Sequence, residues 1–217
     1  SAESIFTGKP LLSGGSLLRP EATGYGLLYF VERCLMDHDE TFENKNVLVS
    51  GAGNVGIHAA EKAEALGCKV IGMNILKRLP LEDYLETHQD ATYIPDSKRL
   101  YQEPCDIMLF CATENEADVE DVKVLIDNGC KLMAEGANMP LTNEALAYVH
   151  EKKVIHLPGK AANAGGVATS LMEMSQNATF MPWPKGDVDN QLRHVMMTIY
   201  DEVSKAAQEF GDPHNYD

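Results

Sequence analysis

The chain has 217 residues, 44% hydrophobic and 24% charged, a composition that suits one domain with a full core and excludes a disordered chain. Its formal net charge of −15 would be repelled by DNA, RNA or an acidic membrane surface, so neither nucleic acid nor membrane is expected as a partner. Five cysteines, at 34, 68, 105, 111 and 130, are odd in number and form no C-x-x-C pair, which speaks against a disulfide framework or a zinc ribbon. They read as buried, reduced thiols of a cytoplasmic protein, with no metal site expected.

No run approaches the roughly 18 apolar residues that cross a bilayer. The chain opens on Ser1-Ala2 without an initiating Met, which reads as a piece excised from a longer protein more than as a processed end. Pro20 and Glu21 predict a helix start, and the pattern holds to about Leu35. Val47-Leu48-Val49-Ser50 is a short apolar run ending at glycines, the mark of a buried strand. From Asn54 to Leu66 the apolar positions fit a helix packed on one side, with Gly67 as its C-cap. Val70-Ile71-Gly72-Met73 is a second strand.

The stretch 77–104 is irregular, with a candidate helix at Leu81–His88 and a candidate strand at Ala91–Ile94. Regular patterning returns at Asp106–Cys111, a third strand. A helix follows at Val119–Asn128, ended by Gly129, and then a strand at Lys131–Ala134. Thr142 is an N-cap for a helix reaching Lys152. A strand at Val154–Leu157 and helices at Gly165–Gln176 and Val188–Phe210 complete the chain.

Strand and helix thus alternate about five times, which predicts an α/β fold: a doubly wound, mostly parallel sheet with helices on both faces. The whole of 1–217 is expected to form one Rossmann-like, dinucleotide-binding domain. Its helical segments at 20–35 and 188–210 fall outside the βαβ units and flank the sheet.

The sharpest motif is Gly51-Ala52-Gly53-Asn54-Val55-Gly56, a G-x-G-x-x-G run between a strand and a helix. Gly51 permits the tight turn, Gly53 lets a pyrophosphate approach the backbone, and Gly56 lets the helix sit close to the strand. The helix N-terminus then meets the phosphates. The plain alternative is a glycine-rich turn without a ligand. About 20 residues on, NAD-binding folds place an acidic residue on the ribose, but here the run is Met73-Asn74-Ile75-Leu76-Lys77-Arg78. Asn74 can bond a ribose hydroxyl, while Lys77 and Arg78 suit a 2′-phosphate. The balance leans toward NADP over NAD, against the alternative that both cations are solvated loop residues.

Further polar and glycine-rich segments stand at strand ends or helix starts: GGSLLRPEATGYG at 14–26, CATENE at 111–116, EGANMP at 135–140 and GKAANAGGVATS at 159–170. Ligands of open parallel sheets bind outside the carboxyl ends of the strands, so these loops describe one cleft. In this order, with GAGNVG, they closely resemble the hexameric glutamate dehydrogenases from about Thr7 to about Gln176. The resemblance implies NAD(P)-dependent, reversible deamination of L-glutamate to 2-oxoglutarate and ammonia by a homohexamer.

It also implies roles for single residues. Thr23 and Asn138 would lie near the nicotinamide, Asn54 and Val55 at the glycine loop, and Ala112, Thr113 and Asn115 along the cofactor. Asn163, Val167 and Ser170 would line the glutamate pocket, with the Ser170 hydroxyl on the substrate's side-chain carboxylate. Each has a plainer reading: Thr23 as a first-turn residue, Asn163 as a loop cap, Ser170 bonding its own helix. The family's catalytic lysine and aspartate belong to sequence that would precede residue 1, so no catalytic residue is expected in this chain. Two departures bear on specificity: Asn74-Ile75-Leu76 replaces a Ser-Asp-Ser-like run before a shortened region, and Leu171 stands where the family often has Gly. Leucine- or phenylalanine-type dehydrogenases, a non-catalytic nucleotide-binding module and a pure interaction protein are the competing readings. A hydroxyl at position 170 suits a carboxylate better than an apolar substrate side chain.

Overall fold

The computed structural model describes residue 18 and residues 20–73, 97–179, 183–210 and 216. The order is α1 (Ala22–Asp37), β1 (Asn46–Ser50), α2 (Asn54–Ala65), β2 (Lys69–Met73), α3 (Ser97–Leu100), β3 (Ile107–Phe110) and α4 (Val119–Asp127). It continues with β4 (Leu132–Glu135), α5 (Asn143–Glu151), β5 (Ile155–Leu157), α6 (Gly159–Ala162), α7 (Gly165–Thr179) and α8 (Lys185–Glu209). The five strands form one sheet in the order β2-β1-β3-β4-β5. All four pairings are parallel, so every connection must cross over a sheet face, and the helices cover both.

Strand periodicity sorts the core. Val47, Val49, Ile107, Leu109, Leu132 and Ala134 point to one face, where they pack with Leu27, Phe30, Ala59, Ala63, Leu192 and Met196. Leu48, Met108, Phe110 and Met133 point to the other, against Tyr101, Val122, Leu125, Ala145 and Val149. Burial on both faces explains why the strands read as unbroken apolar runs rather than alternating ones.

The two flanking helices, α1 and α8, lie on the first face beside α2 and α7. Tyr29 on α1 donates from its hydroxyl to Asp189 Oδ1 at 2.6 Å, Arg193 grips Glu32 with two nitrogens at 2.7 and 3.0 Å, and Phe30 meets Tyr200 edge-on at 5.3 Å. Close backbone approach explains the glycines of α1. A Cβ on Gly24 would stand 2.7 Å from both the Ala59 nitrogen and the Val55 oxygen of α2, and one on Gly26 would stand 2.9 Å from Gly165 Cα of α7.

Most boundaries match the sequence expectation. Gly67 adopts a φ of +91° just past α2, as an αL C-cap requires. α8 starts at Lys185, earlier than Val188, because Pro184 opens it. Two one-turn helices, α3 and α6, are too short to show a helical period. The expected helix at Leu81–His88 and strand at Ala91–Ile94 lie outside the described residues. Among the described residues, no helix is long and apolar enough to cross a membrane.

Thr142 caps α5 by accepting a hydrogen bond from the Ala145 N–H at 3.2 Å. Thr142→Ala is expected to cost about 1 kcal/mol, or a melting temperature roughly 2–4 °C lower for a domain of this size. Thermal unfolding checks this, and an unchanged midpoint would remove the cap from the list of stabilising contacts.

Candidate functional site

The strand order reverses between β1 and β3. β1 feeds β2 on one side, and the chain then returns to build β3, β4 and β5 on the other. Such a switch point opens a crevice at the carboxyl ends of the two central strands. The glycine loop leaves β1 there, and the segment 111–116 leaves β3. They touch: Gly51 has a φ of +75°, and a Cβ on it would lie 2.6 Å from Ala112 Cα. Only glycine fits that combination of turn and contact.

Gly53 is extended, with φ −82° and ψ −174°, and is the N-cap of α2 without a side-chain hydrogen bond. Nothing lies within 4 Å of where its Cβ would be, so the loop has an open front. The first turn of α2 holds no acidic residue. Its N–H groups therefore present an uncompensated positive end, which is suited to an anion. Behind the loop, Gly56 seats α2 directly on the Gly51 carbonyl.

The other segments converge on this edge. Asn54 is exposed and donates from its amide to the Pro20 carbonyl, tying the glycine loop to the start of α1. Thr23 is half-buried, and its hydroxyl would lie 2.8 Å from a Cβ on Gly166, at the start of α7. Asn115 takes a left-handed conformation, φ +51°, and its N–H donates to the Met139 carbonyl at 2.9 Å, joining the loops after β3 and β4. Asn163 Nδ2 donates to Asn138 Oδ1 at 2.8 Å, joining the loops after β4 and β5. On α7, Val167 is 67% exposed and Leu171 58%. The Ser170 hydroxyl donates to the Gly166 carbonyl at 3.0 Å, the local bond that a helical serine readily makes. Asn74, Lys77 and Arg78 lie outside the described residues.

Sequence reasoning assigned nothing to two carboxylates that organise these loops. Glu135, buried at the end of β4, accepts from the Gly159 N–H at 2.8 Å and lies 3.1 Å from His156 Nε2. It thereby fixes the start of α6. Glu116 closes the turn after β3: Ser50 Oγ donates to its Oε1 at 2.6 Å, and the Thr113 N–H approaches its Oε2 at 3.4 Å. Burial, reinforced by Glu135, pushes the Glu116 carboxyl up to about 7. For Glu135 the sequence signal was a carboxylate ending an otherwise apolar strand; Glu116, in the loop after β3, had none. Among the described residues, no group of three or more His, Cys, Asp or Glu could hold a metal ion.

Known proteins resemble this chain over nearly its whole length. The family model for Glutamate/Leucine/Phenylalanine/Valine dehydrogenase matches residues 14–75 and 73–216. The two matched pieces overlap at residues 73–75. The NADP-specific glutamate dehydrogenase of Helicobacter pylori is 41% identical over 241 residues, covering 99% of this chain and 54% of the relative. That of Escherichia coli K12 is 43% identical over 234 residues, covering 98% and 52%. The solved structure of Plasmodium falciparum glutamate dehydrogenase superposes with a TM-score of 0.89 at 36% identity, over 97% of this chain and 50% of that one. The chain thus spans about half the length of the curated relatives it matches. It belongs to the Glutamate/Leucine/Phenylalanine/Valine dehydrogenase family.

Proposed function

We propose that residues 1–217 act as one dinucleotide-binding domain of an NADP-dependent glutamate dehydrogenase. The observation that carries this reading is the glycine loop at the switch point, with its open face at Gly53 and the bare N-terminus of α2 behind it. Relatives named NADP-specific support NADP over NAD. When bound, the cofactor supplies the hydride acceptor for glutamate oxidation.

In this reading Gly51, Gly53, Asn54, Val55 and Gly56 receive the pyrophosphate. Ala112, Thr113 and Asn115 flank the dinucleotide, and Thr23 and Asn138 lie toward its nicotinamide end. Asn163, Val167 and Ser170 form this chain's side of the glutamate pocket. Ser170 would have to turn its hydrogen away from the Gly166 carbonyl to donate to a substrate carboxylate, a low-cost rotation for a hydroxyl. The proton chemistry belongs to a lysine and an aspartate outside this chain, and the homohexamer belongs to the whole protein. The buried, unpaired state of all five cysteines fits a reducing, cytoplasmic setting.

Calorimetric titration of the purified chain with NADP+ and with NAD+, at matched ionic strength, tests the reading. Saturable binding that favours NADP+, with no glutamate oxidation, is the expected result. Binding of neither nucleotide would overturn the cofactor assignment, and measurable turnover would overturn the placing of the catalytic groups elsewhere.

A further inference from the structure

Glu116 sits under the glycine loop, where its carboxyl competes with a backbone carbonyl for the single hydrogen of Ser50. Ser50, the residue before Gly51, has two acceptors around its hydroxyl: Glu116 Oε1 at 2.6 Å and the Leu109 carbonyl at 3.4 Å. It also accepts from the Cys111 N–H at 2.9 Å. A serine hydroxyl carries one hydrogen and can satisfy only one of those acceptors. A protonated Glu116 would donate to Ser50 Oγ, freeing the Ser50 hydrogen for Leu109, and its second oxygen would still accept from the Thr113 N–H. The bonds to Ser50 and Thr113 therefore survive protonation.

The surroundings leave Glu116 poised between its two forms. Burial raises the proton affinity of Glu116, the hydrogen bonds from Ser50 and from the Thr113 and Ala112 N–H groups lower it, and the buried Glu135 on β4 adds to the rise, leaving the carboxyl at about 7. From the end of β3, Cys111 faces it, and from the turn after α3, Tyr101 does. Burial pushes both of these groups up, so neither carries a charge near neutrality. His156 on β5 is engaged with Glu135. A dinucleotide would add phosphate charges on the far side of Ser50 and Gly51, and like charges disfavour one another's ionised form.

We propose that Glu116 is a positioning residue that takes up a proton when a dinucleotide occupies the glycine loop, so that its neutral carboxyl holds the 112–116 turn against β1 without setting a second anion beside the phosphates. This rests on the dinucleotide reading above. By linkage, affinity is level below the free-state midpoint of about 7 and falls as pH rises through it, by no more than about tenfold per pH unit for one proton.

The test is calorimetric titration of the protein and of its Glu116→Gln variant with NADP+ from about pH 6 to about pH 9. Each is run in two buffers of different ionisation enthalpy, which counts protons directly. Any titration of the nucleotide's own phosphate is common to both proteins, so their difference isolates residue 116. The expected wild-type result is a severalfold weaker Kd at the alkaline end with net proton uptake. Glu116→Gln, neutral at every pH and able to keep the hydrogen bonds, is expected to lack that uptake and to bind more tightly than wild type at high pH. Parallel profiles with equal proton counts overturn the inference alone. Absence of saturable binding in both proteins at every pH overturns the dinucleotide reading and the inference with it. Should the variant not fold, the wild-type proton count with NAD+, which lacks the titrating 2′-phosphate, decides: uptake above the midpoint upholds the inference and none overturns it.

Discussion

Gly56→Ala is expected to lower stability by about 3 kcal/mol or more, at the upper end of what overpacking costs. The added methyl carbon would lie 1.7 Å from the Gly51 oxygen and 2.9 Å from the Gly51 carbon. Neither partner can yield easily. Gly51 is held by its positive φ and by Ala112 on its other side. α2 is pressed from above by α1, where Gly24 already meets the Val55 oxygen and the Ala59 nitrogen, and from below its Ala59, Ala60 and Ala63 are fully buried. Alanine's better helix propensity returns only about 1 kcal/mol, so the clash wins. At roughly 2–4 °C per kcal/mol for a domain of this size, the melting temperature should fall by about 6–12 °C. A variant that melts with the wild type would mean that α2 can slide on the sheet, and the close seating of the glycine loop would then be no constraint.

How far the sequence discloses this molecule depends on the range of each interaction. Asp106–Cys111 is legible as a strand because burial on both faces makes it uniformly apolar, and Thr142 is legible as a cap because its partner is three residues away. The glycine loop is legible because its three glycines answer local demands. The roles of Glu116 and Glu135 are not local. Ser50 and Glu116 are 66 positions apart, Glu135 and Gly159 are 24 apart, and each meeting is made by sheet order rather than by any periodicity. The same holds for α1: its glycines read as part of a loop-like run, yet Gly24 and Gly26 are contact points between helices that only the three-dimensional packing reveals. The resemblance placed Asn138 and Asn163 in one cleft without predicting that they bond each other. For Ser170, the local bond to Gly166 is the resting arrangement from which a substrate contact would have to be made.

Gly53→Ala should separate binding from folding. Three residues from Gly56, Gly53 has ordinary extended dihedrals, and a Cβ there would meet nothing within 4 Å. Alanine is a poorer N-cap than glycine, but it also reduces the freedom of the unfolded chain. These two effects oppose, and the net change in stability should stay within about 1 kcal/mol. The space in front of Gly53 is where the backbone must approach a pyrophosphate, so a methyl group there would push the phosphates away from the N–H groups of α2. NADP+ affinity should fall at least about tenfold, the equivalent of about 1.4 kcal/mol, with little change in melting temperature. Titration and thermal unfolding of the same variant give both numbers. If affinity and stability fall together, Gly53 is a folding residue like Gly56. If neither changes, the phosphates do not pass in front of this loop, and the open face at Gly53 would have to be explained by something other than a bound dinucleotide.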